Sequence, residues 1–164
     1  MKQLRIATQR DIELLLYIAR ETQTSLQAAG SLQEIGIHNR NEVEAYIDKE
    51  YMYIFEDQEI FGGVKIEPLE PGKAKEWRLN PEFRYIFLSN LMLLPKHQRK
   101  GLGVDLMGLI FDQFYQEEVV LVLDCWEGNK KLREFYQKKC HFILHGVFPQ
   151  EDYEIAVFRK ELNK

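Results

Sequence analysis

An apolar run, Leu91-Met92-Leu93-Leu94, meets Pro95 and passes into a basic stretch punctuated by glycine, Lys96-His97-Gln98-Arg99-Lys100-Gly101-Leu102-Gly103. A strand that enters such a turn at the start of a helix is suited to an anion. Free N–H groups at a helix N-terminus point outward and the helix dipole adds positive potential. Gly101 and Gly103 let an oxyanion approach the backbone with no Cβ in the way, and Arg99 and Lys100 add charge. The same residues also read as a basic surface loop ahead of a glycine-started helix. Two commoner phosphate motifs are excluded. Gly101-Leu102-Gly103-Val104-Asp105-Leu106 has Leu106 where a dinucleotide fingerprint needs its third glycine, and no Gly-x-x-x-x-Gly-Lys-Ser/Thr occurs. Cys125 and Cys140 are the only thiols, too few for a disulfide framework. With His141 and His145 they do not reproduce a paired zinc-ligand spacing, so no metal is expected.

These residues need elements to hold them. Leu4 to Ala7 reads as a strand, and Asp11 caps a helix with Ile12, Leu15, Leu16 and Ala19 on one face. From Thr22 to Asn41 the chain is rich in Gln, Ser and Gly, and no pattern stands out until Val43, Ala45, Tyr46 and Ile47 suggest a short helix. Tyr51 to Phe55 and Ile60 to Ile66 form a hairpin around Glu56, Asp57, Gln58 and Glu59, after which Pro68, Pro71, Gly72 and Pro81 break regular structure. Tyr85 to Leu94 is a strand, and Leu102, Leu106, Leu109, Ile110 and Phe114 describe an amphipathic helix. Val119 to Cys125 is an apolar run of the kind buried on both faces of a sheet, and Lys130 to Lys139 presents Leu132, Phe135 and Tyr136 on one helical face. Phe142 to Phe148 and Tyr153 to Phe158 complete the strands. Strand, helix, strand, helix in the centre implies a parallel pair and the flanking hairpins antiparallel ones, hence a mixed sheet with helices on both faces.

The 164 residues fit one domain, 1–164, and 45% hydrophobic content supports a packed core. No apolar stretch approaches the ~20 residues of a membrane span, and the opening MKQLRIATQRD lacks the apolar centre of a secretory signal, so a cytoplasmic protein is expected. Twenty-six acids against 22 bases give a net charge of -4, which opposes nucleic-acid binding and leans towards cationic partners such as amines.

Gln98-Arg99-Lys100-Gly101-Leu102-Gly103 resembles the signature Gln/Arg-x-x-Gly-x-Gly/Ala of the GNAT superfamily of N-acetyltransferases. Leu4-Arg5-Ile6-Ala7-Thr8 with Asp11-Ile12 looks like that family's opening, and Val122-Leu123-Asp124-Cys125, Asn129, Phe135-Tyr136 and Phe142 resemble its second half. The resemblance implies an α+β fold of three layers, with a central mixed sheet of roughly six or seven strands flanked by helices. It implies acetyl-CoA as co-substrate, with its pyrophosphate on Gln98, Arg99, Lys100, Gly101, Leu102 and Gly103 and its pantetheine arm beside Leu91, Met92 and Leu93. Asn129, five residues after Asp124, then contacts the cofactor, and Tyr136, seven further on, protonates the leaving thiolate. A phenol with pKa near 10 suits that task. Attack by an amine needs a proton acceptor, and Asp124 stands where some members place a glutamate base, with Glu127 in reserve. The strand before the loop, another usual place for a base, offers Ser89 and Asn90, which cannot serve. His141 replaces the glycine that usually precedes Phe142. Trp77, Phe83 and Tyr85 are candidates to line an acceptor pocket, although scattered aromatics more often pack a core. The expected activity is acetyl transfer to a primary amine of a small molecule or peptide, without nucleic acid or membrane and with a homodimer left open. The alternative is a non-catalytic acyl-CoA-binding or sensing module.

Overall fold

The computed structural model describes residues 1–37, 39–98 and 101–162. Seven strands make one sheet: β1 (Gln3–Ile6), β2 (Met52–Asp57), β3 (Glu59–Pro68), β4 (Tyr85–Leu93), β5 (Val120–Trp126), β6 (Ile143–Gln150) and β7 (Tyr153–Glu161). Their spatial order is β1-β2-β3-β4-β5-β7-β6, antiparallel throughout except for the parallel pair β4 and β5. The helices are α1 (Ile12–Ala28), α2 (Arg40–Asp48), α3 (Pro71–Glu76), α4 (Leu102–Phe114) and α5 (Lys130–Glu134), the last continued by a π-helical turn, Phe135–Lys139. This is the expected α+β arrangement.

Three local expectations are corrected. Helix α1 runs on to Ala28, because propagation from a half already packed through Ile12, Leu15, Ile18 and Ala19 adds one hydrogen bond for each residue fixed, polar or not. Gly30, at φ +85°, then stops it: its N–H donates to Gln27 O and Ser31 N–H to Leu26 O, the Schellman pattern. Pro71 starts α3 rather than breaking the chain, since at the first helical position its missing N–H would be unpaired in any case. The β2–β3 hairpin is tighter than expected, with Asp57 opposite Glu59 and only Gln58, at φ +67°, between the strands.

On one face of the sheet Leu106, Met107, Ile110 and Phe114 of α4 pack on strand residues that include Phe55, Val64, Leu121 and Phe158. The other face carries two separate clusters. One joins α1 and α2 to Met52, Ile54 and Met92. The other joins Trp77 and Leu79 to Tyr85, Phe87, Val120, Val122, Ile155 and Val157. Strand alternation sets Lys65, Glu67, Ser89 and Asp124 on this same face, in the gap between the clusters.

The parallel pairing is short. It joins Tyr85 to Val120, Ile86 to Leu121 and Phe87 to Val122. Beyond that point β4 stays with β3 as far as Leu93 and β5 stays with β7 as far as Trp126, so the sheet splits. A bulge accompanies the split: Lys65 lies opposite Ser89 but Gly63 opposite Met92, which gives β4 one residue more than β3. Asn90, at φ +51°, lies inside it.

Candidate active site

Asp124 follows Val120 and Val122 at alternate positions of β5, and those two belong to the cluster beneath α3, so its carboxylate faces the gap on that side. The gap is a cleft of about 280 Å³ whose lining includes Gln33, Lys65, Glu67, Lys73, Ser89 and Asp124. Burial pushes the Asp124 carboxyl up to about 6, against the opposing pull of Lys73 and of a hydrogen bond from Gln33. It is therefore ionised at neutral pH and a stronger base than an ordinary carboxylate. Lys65 is bound to Glu67 at 2.8 Å and lies 3.7 Å from the centre of the Tyr46 ring. Lys73 stands 4.9 Å from the centre of the Phe87 ring.

Tyr136 belongs to the opposite face. Its residue is 5% exposed, and its ring packs against Phe135, Phe142 and Phe158 with centroids 5.6, 6.2 and 5.7 Å away. Burial, reinforced by Cys125 and Asp124, holds the phenol well above its usual range. It stays protonated at any physiological pH, as a hydrogen-bond donor and a weak acid. Asp124 and Tyr136 thus approach from opposite sides of the sheet, near enough for the charge of one to act on the other, at the level where β4 and β5 part.

Beyond Phe87, the side of β4 that faced β5 has no strand partner among the described residues, and Leu91, Met92 and Leu93 lie on that stretch. A chain of alternating donors and acceptors can pair with such an edge. Gln98 has a structural duty here: its side-chain amide donates to Leu93 O at 3.2 Å and ties the loop to the strand end. Gly101 sits at φ +74° as the N-cap of α4, and a Cβ there would meet nothing within 4 Å, so space for an anion is open. Gly103 is glycine for another reason. A Cβ there would lie 2.8 Å from Phe135 Cζ, so its small size lets α4 approach the aromatic beside Tyr136. Arg99 and Lys100 lie outside the described residues, and Leu102 opens α4.

Asn129 caps α5, its Oδ1 accepting from Leu132 N–H at 3.1 Å, which leaves Nδ2 as the group able to donate to a ligand. Glu127, the reserve base, is bound to Arg133 at 3.0 Å and does not line the cleft. Neither do the three aromatics. Trp77 and Tyr85 are buried in the cluster beneath α3, the Tyr85 hydroxyl donating to Asn80 O at 2.9 Å, and Phe83 is exposed. Sequence reasoning missed Gln33, Lys65, Glu67 and Lys73, which lie on three segments brought together only by folding. The alternation of Lys65 and Glu67 with buried Val64 and Ile66 marked them only as one face of a strand. Among the described residues no group of three His, Cys, Asp or Glu could hold a metal, and no helix is long and apolar enough to cross a membrane.

No curated protein matches the sequence closely enough to compare. Among solved structures, the chain is similar to a GNAT-family acetyltransferase from Streptococcus agalactiae, with a TM-score of 0.83, 17% identity and coverage of 99% of this chain and 96% of that one. It is also similar to an acetyltransferase from Salmonella typhimurium that modifies the N-terminal serine of ribosomal protein L7/L12, with a TM-score of 0.71, 16% identity and coverage of 99% and 95%. A ribosomal L7/L12 alpha-N-protein acetyltransferase in complex with coenzyme A gives a TM-score of 0.72 at 17% identity, covering 99% and 94%. The model of the acetyltransferase (GNAT) family matches residues 14–142, a span that holds the split strand, the glycine loop, Asp124 and Tyr136 alike, and the chain belongs to that family.

Proposed function

We propose that the chain, as a single domain, transfers the acetyl group of acetyl-CoA to a primary amine of a small molecule or peptide by direct attack. The observation that carries this reading is the split between β4 and β5, with a cleft holding a base of raised pKa on one face and a buried phenol on the other. The residues present fit acetyl-CoA: the free edge of β4 at Leu91, Met92 and Leu93 suits the pantetheine amides, and the open N-terminus of α4 at Gly101, Leu102 and Gly103 suits a pyrophosphate. The coenzyme A complex of a structural relative supports the same choice, and the acetylated serine N-terminus of a relative's substrate supports an amine acceptor.

The acceptor reaches the split through the cleft. Asp124 takes the amine's proton, directly or through a water, so that a neutral nitrogen attacks the thioester carbonyl. The nitrogen gives up its second proton to water as the tetrahedral intermediate collapses, and the C–S bond breaks to expel the thiolate, towards which the Tyr136 hydroxyl donates. Because burial raises the phenol's pKa, its main contribution is a hydrogen bond that stabilises developing negative charge. A thiol-release assay across polyamines, aminoglycosides, amino acids and peptide N-termini tests the reading. Acetyl-CoA binding with no thiol release from any amine would favour the binding-module alternative.

A further inference from the structure

Residues 31–37, after α1, run along the cleft, whose lining includes Gln33, Glu34 and Gly36, and they are held by several hydrogen bonds. Gln33 N–H donates to Ser31 Oγ at 3.3 Å, Ile35 N–H to Gln23 Oε1 at 2.6 Å, and Gly36 N–H to Asn90 Oδ1 at 2.9 Å. Ile35 and Ile37 are buried with α1 and α2. Asn90 is the bulge residue of β4, so this strap and the split in the sheet are fixed to each other. The strap also places Gln33 in the lining of the cleft that holds Asp124, where its side-chain amide favours the ionised carboxylate.

We propose that Gln33 is the positioning residue for Asp124, its amide holding the carboxylate so that a free oxygen faces the acceptor amine. This rests on the acetyl-transfer reading. A carboxylate on the floor of a cleft can rotate, and a single donor locked by the strap selects one orientation and favours the ionised form. The other charged groups facing Asp124 across the cleft are Glu34 on the strap, Lys65 and Glu67 on β3, and Glu70 and Lys73 at α3. Tyr136 and Tyr153 also feel its charge. Of these, Lys73 is the one whose field lowers the carboxyl, and it acts through space rather than by a bond. Gln33 and Lys73 are therefore separable: a hydrogen bond resists salt, whereas a field across an open cleft is screened.

The test is an NMR titration of the carboxyl carbons in the full-length protein, run beside the pH dependence of kcat/KM. Gln33→Leu, with Gln33→Met as a second variant that keeps a flexible chain, is expected to raise the Asp124 midpoint by about one unit. In kcat/KM that is about a fivefold loss at pH 6 and almost none at pH 8.5. The Gln33→Leu shift should persist in 0.5 M salt, and that of Lys73→Met should shrink. A midpoint unmoved in both Gln33 variants, or an equal loss at every pH, overturns the role of Gln33 alone. A midpoint that moves while the activity profile does not follow it shows that Asp124 is not the base, and overturns the functional reading with it.

Discussion

Asp124 stands under two opposed demands, since the burial that makes it a better base also makes its charge costly to the fold. Its folded pKa, about 6, lies above the ordinary 3.8, so between those values the native state binds more protons than the unfolded state and stability falls as pH rises. Asp124→Asn should therefore melt higher than the parent at pH 8, by roughly 2–4 °C for each kcal/mol relieved, with the gain fading towards pH 4. The same variant should lose about 100-fold or more in kcat/KM and the limb near pH 6. Equal melting temperatures at pH 8 would contradict the cost assigned to the desolvated charge. Tyr136→Phe keeps the ring among Phe135, Phe142 and Phe158 and removes only the donor. Steady-state kinetics should show kcat down by about 100-fold, the lower end of general-acid effects because the phenol is a weak acid, with acetyl-CoA affinity and melting nearly unchanged. A lower melting temperature with normal turnover would mean that Tyr136 only packs.

Single elements can be tested apart from the chemistry. Asn129 caps α5 through Oδ1, so Asn129→Ala should cost about 1 kcal/mol in denaturant melts. Asn129→Asp keeps the acceptor and removes Nδ2. If that nitrogen contacts the cofactor, KM for acetyl-CoA rises while stability holds, and an unchanged KM leaves Asn129 a cap and nothing more. Strand β4 must stay close to β3 for its other edge to remain free. At Gly62 a Cβ would lie 2.3 Å from Met92 O, a backbone atom that cannot yield without parting the strands. Gly62→Ala should cost about 2 kcal/mol or more in stability. Gly108, within α4 with nothing within 4 Å of its Cβ position, is the control: Gly108→Ala should stabilise by up to about 1 kcal/mol.

For the molecule as a whole, the free edge of β4 and the start of α4 form one surface, and a ligand spanning both should tighten the entire fold. Acetyl-CoA at 100 times its dissociation constant should add about 2.7 kcal/mol, read as a thermal shift, whereas NAD and ATP should add nothing. Gly101→Val should remove the response, because a branched side chain at φ +74° is strained and fills the space left for phosphate. Survival of the shift in that variant would move the anion site elsewhere.

The strands, most of the helices and the glycine loop were legible in the sequence, because each rests on local rules: runs of β-branched and aromatic residues along β2, β3 and β7, apolar spacing along α4, and a glycine where the backbone turns left-handed at Gly101. Asp124, Asn129 and Tyr136 were singled out by resemblance to the family's pattern, and β5, α5 and the π-helical turn that carry them follow one another without a long loop. Local rules failed from Thr22 to Gly36, where polar residues complete a helix and then a strap whose partners, Gln23 and Asn90, lie 12 and 54 residues from the groups they bind. Only the tertiary structure decided that Asp124 and Tyr136 face opposite sides of the sheet and that Gln33 and Lys73 line the same cleft as Asp124. It also decided that β4 and β5 part after three pairs. Hydrogen bonds between strands and burial across a sheet depend on neighbours distant in sequence, so neither residue type nor spacing along the chain encodes where they end.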